Sequence, residues 1–456
     1  MIYIAYGDVD YLLETRLSTS TADRGAVSAL YRMGLGDIVE LSGNIIDVYG
    51  EVGAAVVELR PAEAELLKRR GVRLEESEVV QLALKESVPL VGAPRAWELG
   101  FSGKGVKIAV IDSGISETCG LEGKVIYVKS FINEPAEDLN GHGTHVAAIA
   151  VSDDREYRGV APGAHIVNLK AFNRVGRSMT HIVARAMYEA IKADVDVVNM
   201  SFGGRGRLDD LLSRLANLMA ARGIVPVAAA GNEGPGRGTV SSPGTAAHAI
   251  TVGAVDKEKK VAPYSSRGPV GNLIKPDLVA PGGIKGQEIV ASRPRAIDPP
   301  CKKIGTCYMG CIGTSMAAPH VSGAAALLIE AMGGRREDTA FIIKRVLTET
   351  AEDLGQEREA QGAGLLRIDK AIEYLKKPSH PAPTPTAPLG GLTMALGAAA
   401  LAIIGAALIN LTRESKQDLV YTLRQLYKNN QITMAQLVEL YKQGKISFDE
   451  FKKIIE

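Results

Sequence analysis

"GCIGTSMAAPHVSGAAALL", residues 310–328, sets one serine between a glycine turn and a long run of small apolar residues. The turn is Gly313-Thr314-Ser315, and Pro319 follows four residues after the serine. The apolar run reads as a buried helix. A hydroxyl at the mouth of such a helix either caps its unpaired N–H groups or is a nucleophile that those groups assist. Taken alone, the segment allows both.

Three other polar residues stand where strands or turns meet helices. Asp112 closes the apolar strand "VKIAVID" and precedes Ser113-Gly114. A carboxylate at a strand's C-terminal edge is suited to orienting a histidine, although a turn or cap aspartate would look the same. His142 lies in "NGHGTHVAAIA", with glycines that let other groups approach its ring. His145 sits three residues on, not at the four-residue spacing of H-E-x-x-H, so it is expected to be packed or hydrogen-bonded rather than a metal ligand. Asn232 occupies a glycine turn after the strand of "VPVAAAGNEGPG". Its amide can donate to a developing oxyanion together with the Ser315 N–H. A serine hydroxyl becomes a useful nucleophile when a histidine takes its proton and a carboxylate orients that histidine. The four residues together favour the nucleophile.

Outward from these residues, about Val88 to Leu375 alternates short apolar runs with helical stretches. The strand candidates are "VKIAVID", "HIVNLKAF", "VDVVNMSF", "GIVPVAAAG" and "AITVGAV"; "SMTHIVARAMYEAIKAD" and "LDDLLSRLANLMAARG" lie between as helices. Continuous apolar strands separated by helices predict an α/β fold, a mostly parallel sheet with helices on both faces. The site then belongs at the strands' carboxyl ends. Residues 1–85 read as a small α+β unit. Strands are expected at "MIYIAYG", "DIVELSGNIIDVYG", "GAAVVEL" and "VRLEESEVVQLAL", with helices at 22–34 and in "PAEAELLKRRG".

After this α/β unit, 86–375, comes a Pro/Thr/Ala linker at 376–388. Residues 389–411 hold no charge over 23 positions, long enough for a transmembrane helix. A short helical tail, 412–456, ends the chain. Lys+Arg 53 against Asp+Glu 52 gives no reason to expect a nucleic-acid partner. Cys301, Cys307 and Cys311 crowd the loop before Ser315, and Cys119 lies apart. Their spacing is not that of a zinc site; a loop disulfide is expected, with free buried thiols as the alternative. "MIYIAYGDVDYLL" shows no secretory signal pattern.

The segments "VIDSG", "GHGTHVA", "NMSFGG", "AAAGNEG", "YSSRGP", "KPDLVAPG" and "GTSMAAPHVSG" resemble the subtilisin-like serine protease family (peptidase S8), in the order Asp…His…Ser. The resemblance covers residues 87–375. It implies a subtilisin-like fold and endopeptidase activity, with Asp112 orienting the base, His142 as base and acid, Ser315 as nucleophile and Asn232 as oxyanion donor. It also implies that Ser201, Phe202, Gly203 and Gly231 bind the substrate backbone as an added strand. No cofactor is implied for the chemistry.

The resemblance further makes residues 1–85 an inhibitory propeptide-like domain, cut near Leu84 to Glu86, so that the chain is its own first partner. A catalytically silent peptide-binding scaffold, with that domain permanently in the cleft, is the alternative. The family's calcium loop is short here, "VSDDREYRGVAP"; Asp153 and Asp154 are its only acids besides Glu156, and structural calcium is left open. "GKISFDEFKKII" resembles oligomerisation modules, with a plain amphipathic hairpin as the alternative. Arg413, Lys416, Arg424 and Lys428 just past the span favour a cytoplasmic tail and an extracytoplasmic protease, with the cytoplasmic face as the alternative.

Overall fold

The computed structural model describes residues 2–6, 30, 33, 35, 38, 44–49, 53–76, 79–82, 87–376, 423, 424, 446, 450 and 454. Most of the expected helix 22–34, the processing point, the linker from 377 onward, the span 389–411 and nearly all of the tail lie outside these residues. Among the described residues, no helix is long and apolar enough to cross a membrane. Residues 1–376 form one unit and 377–456 another. In the second, Leu423, Ile446 and Ile454 are buried.

The first sheet comprises β1 (Ile2–Tyr6), β2 (Asn44–Tyr49), β3 (Ala54–Glu58) and β4 (Arg73–Glu76), in the order β2-β3-β1-β4, all antiparallel. Helix α1 (Pro61–Arg69) lies between β3 and β4 and starts on proline, where a missing N–H costs nothing. Strand periodicity sends alternate residues to opposite faces. Ala55 and Val57 join the N-terminal unit's own core with Leu30, Met33, Ile38 and Leu67. Ala54 and Val56 belong to an apolar cluster shared with the catalytic unit.

Two expected strands are corrected. Ile38, inside "DIVELSGNIIDVYG", is helical, and the strand begins at Asn44. "VRLEESEVVQLAL" is not one strand. Its first half is β4; its second, β5 (Val79–Leu82), crosses to a different sheet in the catalytic unit. Two partner edges, in two different sheets, divide the run.

The catalytic unit follows with α2 (Ala93–Glu98), β6 (Lys107–Asp112), β7 (Val125–Ser130), α3 (His142–Val151), β8 (His165–Lys170), β9 (Arg177–Met179) and α4 (Thr180–Lys192). Next come β10 (Val197–Met200), β11 (Phe202–Gly203), α5 (Leu211–Ala221), β12 (Val225–Ala229), β13 (Ile250–Val255) and β14 (Leu278–Pro281). A three-stranded insertion, β15 (Ile289–Ser292), β16 (Lys302–Ile304) and β17 (Tyr308–Cys311), precedes α6 (Thr314–Ala331) and α7 (Thr339–Glu349). The short α8 (Arg358–Gln361) and α9 (Ile368–Lys376) close the unit.

Seven parallel strands run in the order β14-β13-β12-β10-β6-β8-β7. Strands β10, β12, β13 and β14 are buried along their whole length, as strands covered on both faces must be. Because β6 has later strands on both sides, the chain reverses its direction of build there, and the crevice at its carboxyl end is where a site belongs. Asp112 is the last residue of β6.

Candidate active site

Asp112 faces the start of α3. Its Oδ1 lies 2.7 Å from His142 Nδ1, and both side chains are only 1% exposed. The same oxygen accepts the Ser113 N–H at 2.7 Å. Gly143 permits the approach: a Cβ there would come within 2.1 Å of the Gly114 carbonyl oxygen. Gly141 caps the helix at φ 104° without a side-chain acceptor of its own. Asp138 supplies one. Its buried carboxylate accepts the N–H groups of Asn140, Gly141 and Thr144 and the hydroxyls of Ser113 and Thr144, at 2.6–3.0 Å. Ser113 Oγ in turn accepts the Gly143 N–H at 3.0 Å, tying the Asp112 turn to the His142 helix.

Ser315 is the second residue of α6, which is buried from Thr314 to Ile329. Its Oγ donates to the Ser201 carbonyl at 2.9 Å, and Ser201 Oγ donates to the Ser315 carbonyl at 2.7 Å. Pro319 explains the second bond. Lacking an N–H, it cannot take the Ser315 carbonyl in the helical pattern, and Ser201 fills the vacancy. Asn199 Nδ2 donates to Ser201 Oγ at 2.9 Å, and Ser322 Oγ donates to Asn199 Oδ1 at 2.8 Å. The nucleophile candidate thus hangs on a buried polar chain anchored two turns down its own helix.

Asn232 follows β12 after Ala230 and Gly231. Thr314 donates to Asn232 Oδ1 through its N–H at 3.0 Å and its hydroxyl at 3.2 Å. The amide is thereby fixed with Nδ2 turned away. Among the described residues nothing accepts from Nδ2 or from the Ser315 N–H, leaving two donors beside the hydroxyl. Gly231, expected on the substrate edge, spends its N–H on Thr314 Oγ1 at 3.1 Å and supports the same turn.

Two of the other expected substrate residues, Phe202 and Gly203, form β11, whose edge is occupied. Strand β5 of the N-terminal unit pairs antiparallel with β11, Leu82 opposite Phe202 and Gln81 opposite Gly203. On its other side it pairs with β9, Val79 opposite Met179. Strand β5 thus lies along β11 as an added extended strand, one residue short of Ser201.

A profile of the subtilase (peptidase S8) family matches residues 103–365. The chain belongs to the subtilase family. Its curated relatives include serine protease AprX of Bacillus subtilis, 33% identical over 302 residues, covering 60% of this chain and 67% of AprX. An alkaline protease of Alkalihalobacillus alcalophilus is 31% identical over 345 residues, 73% of this chain and 82% of the relative. A membrane-bound transcription factor site-1 protease of Rattus norvegicus is 32% identical over 289 residues, 61% of this chain but only 26% of that longer protein. This subtilase is a serine endopeptidase, and its fold is the mostly parallel α/β sheet that its motifs imply.

Around the site the subtilase carries a disulfide-bonded insertion. Strands β15, β17 and β16 form an antiparallel sheet, braced by Cys301–Cys311 and joined to the loop after Asp112 by Cys119–Cys307. The Cα–Cα separations, 5.2 and 5.8 Å, are those of ordinary disulfides. His145 is packed and hydrogen-bonded: its buried Nε2–H donates to the Ile289 and Met309 carbonyls at 3.1 and 3.2 Å. Asp154 accepts the Glu156 and Tyr157 N–H groups and the Tyr308 hydroxyl, and Asp153 pairs with Lys124. The two adjacent acids are therefore engaged within the protein. Among the described residues no cluster of three metal-ligating side chains occurs.

Sequence reading of this subtilase singled out Asp112, His142, Asn232 and Ser315 but not the residues that hydrogen-bond around them, Asp138, Asn199, Thr314 and Ser322. Asp138 did have a signal, an aspartate three residues ahead of the glycine that caps a histidine-bearing helix.

Proposed function

We propose that this subtilase is a membrane-anchored, self-processing endopeptidase in which Ser315, His142, Asp112 and Asn232 do the chemistry. Ser315 Oγ leaves the Ser201 carbonyl, gives its proton to His142 and attacks the scissile carbonyl carbon. Negative charge develops on the carbonyl oxygen between Asn232 Nδ2 and the Ser315 N–H. His142, held by Asp112, passes the proton to the leaving amine, and water then hydrolyses the ester by the same route. The substrates are extended peptide segments that pair with Phe202–Gly203. Residues 1–85 serve as the inhibitor.

The observation that carries this reading is β5. The chain's own N-terminal unit enters the cleft as a strand, ending one residue before the register of Ser201, whose carbonyl holds the Ser315 hydroxyl. The uncharged residues 389–411 support a membrane anchor, and the basic residues after them support an extracytoplasmic protease.

Expressed wild-type chain should lose its N-terminal unit by a cut near residues 84–86, and the product should then be labelled at Ser315 by a fluorophosphonate. Ser315→Ala should remain intact. An unlabelled wild type that keeps its N-terminal unit would sink the proposal. Accessibility of residues 87–376 to protease added outside intact cells tests the topology.

A further inference from the structure

His320 lies five residues after Ser315 on α6, fully buried. Its Nδ1–H donates to the Met316 carbonyl at 2.7 Å. Nε2 is therefore the ring's lone-pair nitrogen, and it accepts the Ser87 backbone N–H at 3.1 Å. Burial pushes the imidazole down to about 4, so it stays neutral and can accept at neutral pH.

Ser87 has two further unusual features. Its φ is 137°, a region that side-chain-bearing residues seldom adopt, and its Oγ is buried without a partner. The surroundings, not Ser87's own preference, hold this conformation. Its N–H bond to His320 links the start of the catalytic unit to the helix that bears the nucleophile.

On the other side of the proposed cut, Leu82 is fixed in the ladder with Phe202. Four residues, 83–86, separate these two anchor points. We propose that His320 is a positioning residue for self-cleavage: its Nε2 grips the leaving-group side of the segment that the chain presents to Ser315. This rests on the self-processing reading above. The step is ordinary acyl transfer. A C–O bond to Ser315 forms, the C–N bond breaks, the amine leaves with the proton carried by His142, and water later releases the acid.

Holding both flanks of a segment turns an intramolecular attack into one between pre-placed groups, the advantage that orientation gives any reaction. A substrate acting in trans has no Ser87 amide at that position and gains nothing from His320. The residue should therefore matter for the first cut and not for later turnover.

Full-length chains of wild type, His320→Gln, His320→Phe and Ser315→Ala test this. Gln places an acceptor oxygen near the position of Nε2; Phe fills the space without one. First-order conversion should slow about five- to tenfold in His320→Phe and stay within about twofold in His320→Gln, as expected for one lost hydrogen bond. Once each has been carried to completion, kcat/KM on an extended peptide should agree within about twofold. If His320→Phe does not accumulate as folded protein, His320→Leu carries the same comparison. The inference is overturned if the apolar variant converts at the wild-type rate, or if conversion and trans kcat/KM fall together. A wild type that stays uncut overturns the self-processing reading and this inference with it, whereas normal conversion of His320→Phe overturns the inference alone.

Discussion

Ser201 and Ser315 hold each other through two hydrogen bonds of opposite direction, Ser315 Oγ to the Ser201 carbonyl and Ser201 Oγ to the Ser315 carbonyl. The pair joins the end of β10 to the start of α6 and so joins the proposed substrate edge to the proposed nucleophile. In this state the Ser315 hydroxyl proton points at a carbonyl. For attack it must turn to His142, and arrival of a substrate strand whose own N–H takes the Ser201 carbonyl would release it.

Ser201→Ala keeps the backbone acceptor and removes the second bond. It strands two buried groups, the Ser315 carbonyl and Asn199 Nδ2, which Pro319 and the packing leave without substitutes. Each stranded buried group costs about 1–3 kcal/mol. The expected result is a folded protein destabilised by about 2–6 kcal/mol, with kcat lowered more than KM is raised. Denaturant unfolding on a Ser315→Ala background, which avoids self-digestion, measures the first; steady-state kinetics measures the second.

Asn232→Ala tests the oxyanion reading. Thr314 fixes the amide so that only Nδ2 faces outward, and removing it deletes a donor needed mainly in the transition state. The expected loss is about 100- to 1,000-fold in kcat with little change in KM, the size known for this donor in subtilisin. A rise in KM at constant kcat would assign Asn232 to ground-state binding instead.

The sheet and the candidate aspartate at its edge were legible for one reason. Parallel strands buried on both faces leave unbroken apolar runs, and a polar residue ending such a run stands out, as Asp112 does after "VKIAVI". The supports were not legible because they act across distance. Nothing local to Asn199 tells that Ser201 and Ser322 flank it, 123 residues apart in the latter case. The break in "VRLEESEVVQLAL" was hidden likewise. Both halves have strand character, and the choice of partner edge is made by the tertiary fold. The cysteine crowding predicted a loop bridge, but Cys119, 188 residues from Cys307, could be paired only in three dimensions.

Acid should weaken this protein partly through His320. Its folded value, pushed down to about 4 by complete burial, lies below the ordinary 6.5. Above pH 6.5 the ring is neutral in both states, and its contribution is fully present. As pH falls toward 4, the unfolded chain binds a proton that the folded one refuses, so stability drops. At pH 4.5 the loss from this group is on the order of 2–3 kcal/mol. His181, also held near 4 mainly by burial, acts in the same direction. Unfolding free energies of Ser315→Ala at pH 7 and 4.5, with and without His320→Gln, read the difference. An equal drop in both proteins would show that His320 contributes nothing.

The disulfide insertion draws on all three arms of the site. Cys119 follows Asp112 in the next loop, Cys311 lies four residues before Ser315, and His145 ties the insertion to the His142 helix. Pro299 and Met309 also crowd the space beside Gly141, immediately before His142. The two bonds differ in reach. Cys119–Cys307 spans 188 residues and Cys301–Cys311 only 10. Loop-closure entropy alone gives about 5 and about 3 kcal/mol, the longer value being an upper figure since measured bonds usually contribute about 2–4. Reduction of folded Ser315→Ala should therefore lower its melting temperature, and Cys119→Ser/Cys307→Ser should reproduce more of that fall than Cys301→Ser/Cys311→Ser. In the active protein, the same Cys119–Cys307 deletion should reduce kcat more than it changes KM, because it loosens the elements that carry Asp112 and His142 and leaves the Phe202–Gly203 edge in place. Equal melting temperatures with and without reductant, with thiol counting proving full reduction, would remove the insertion from any role in holding the site.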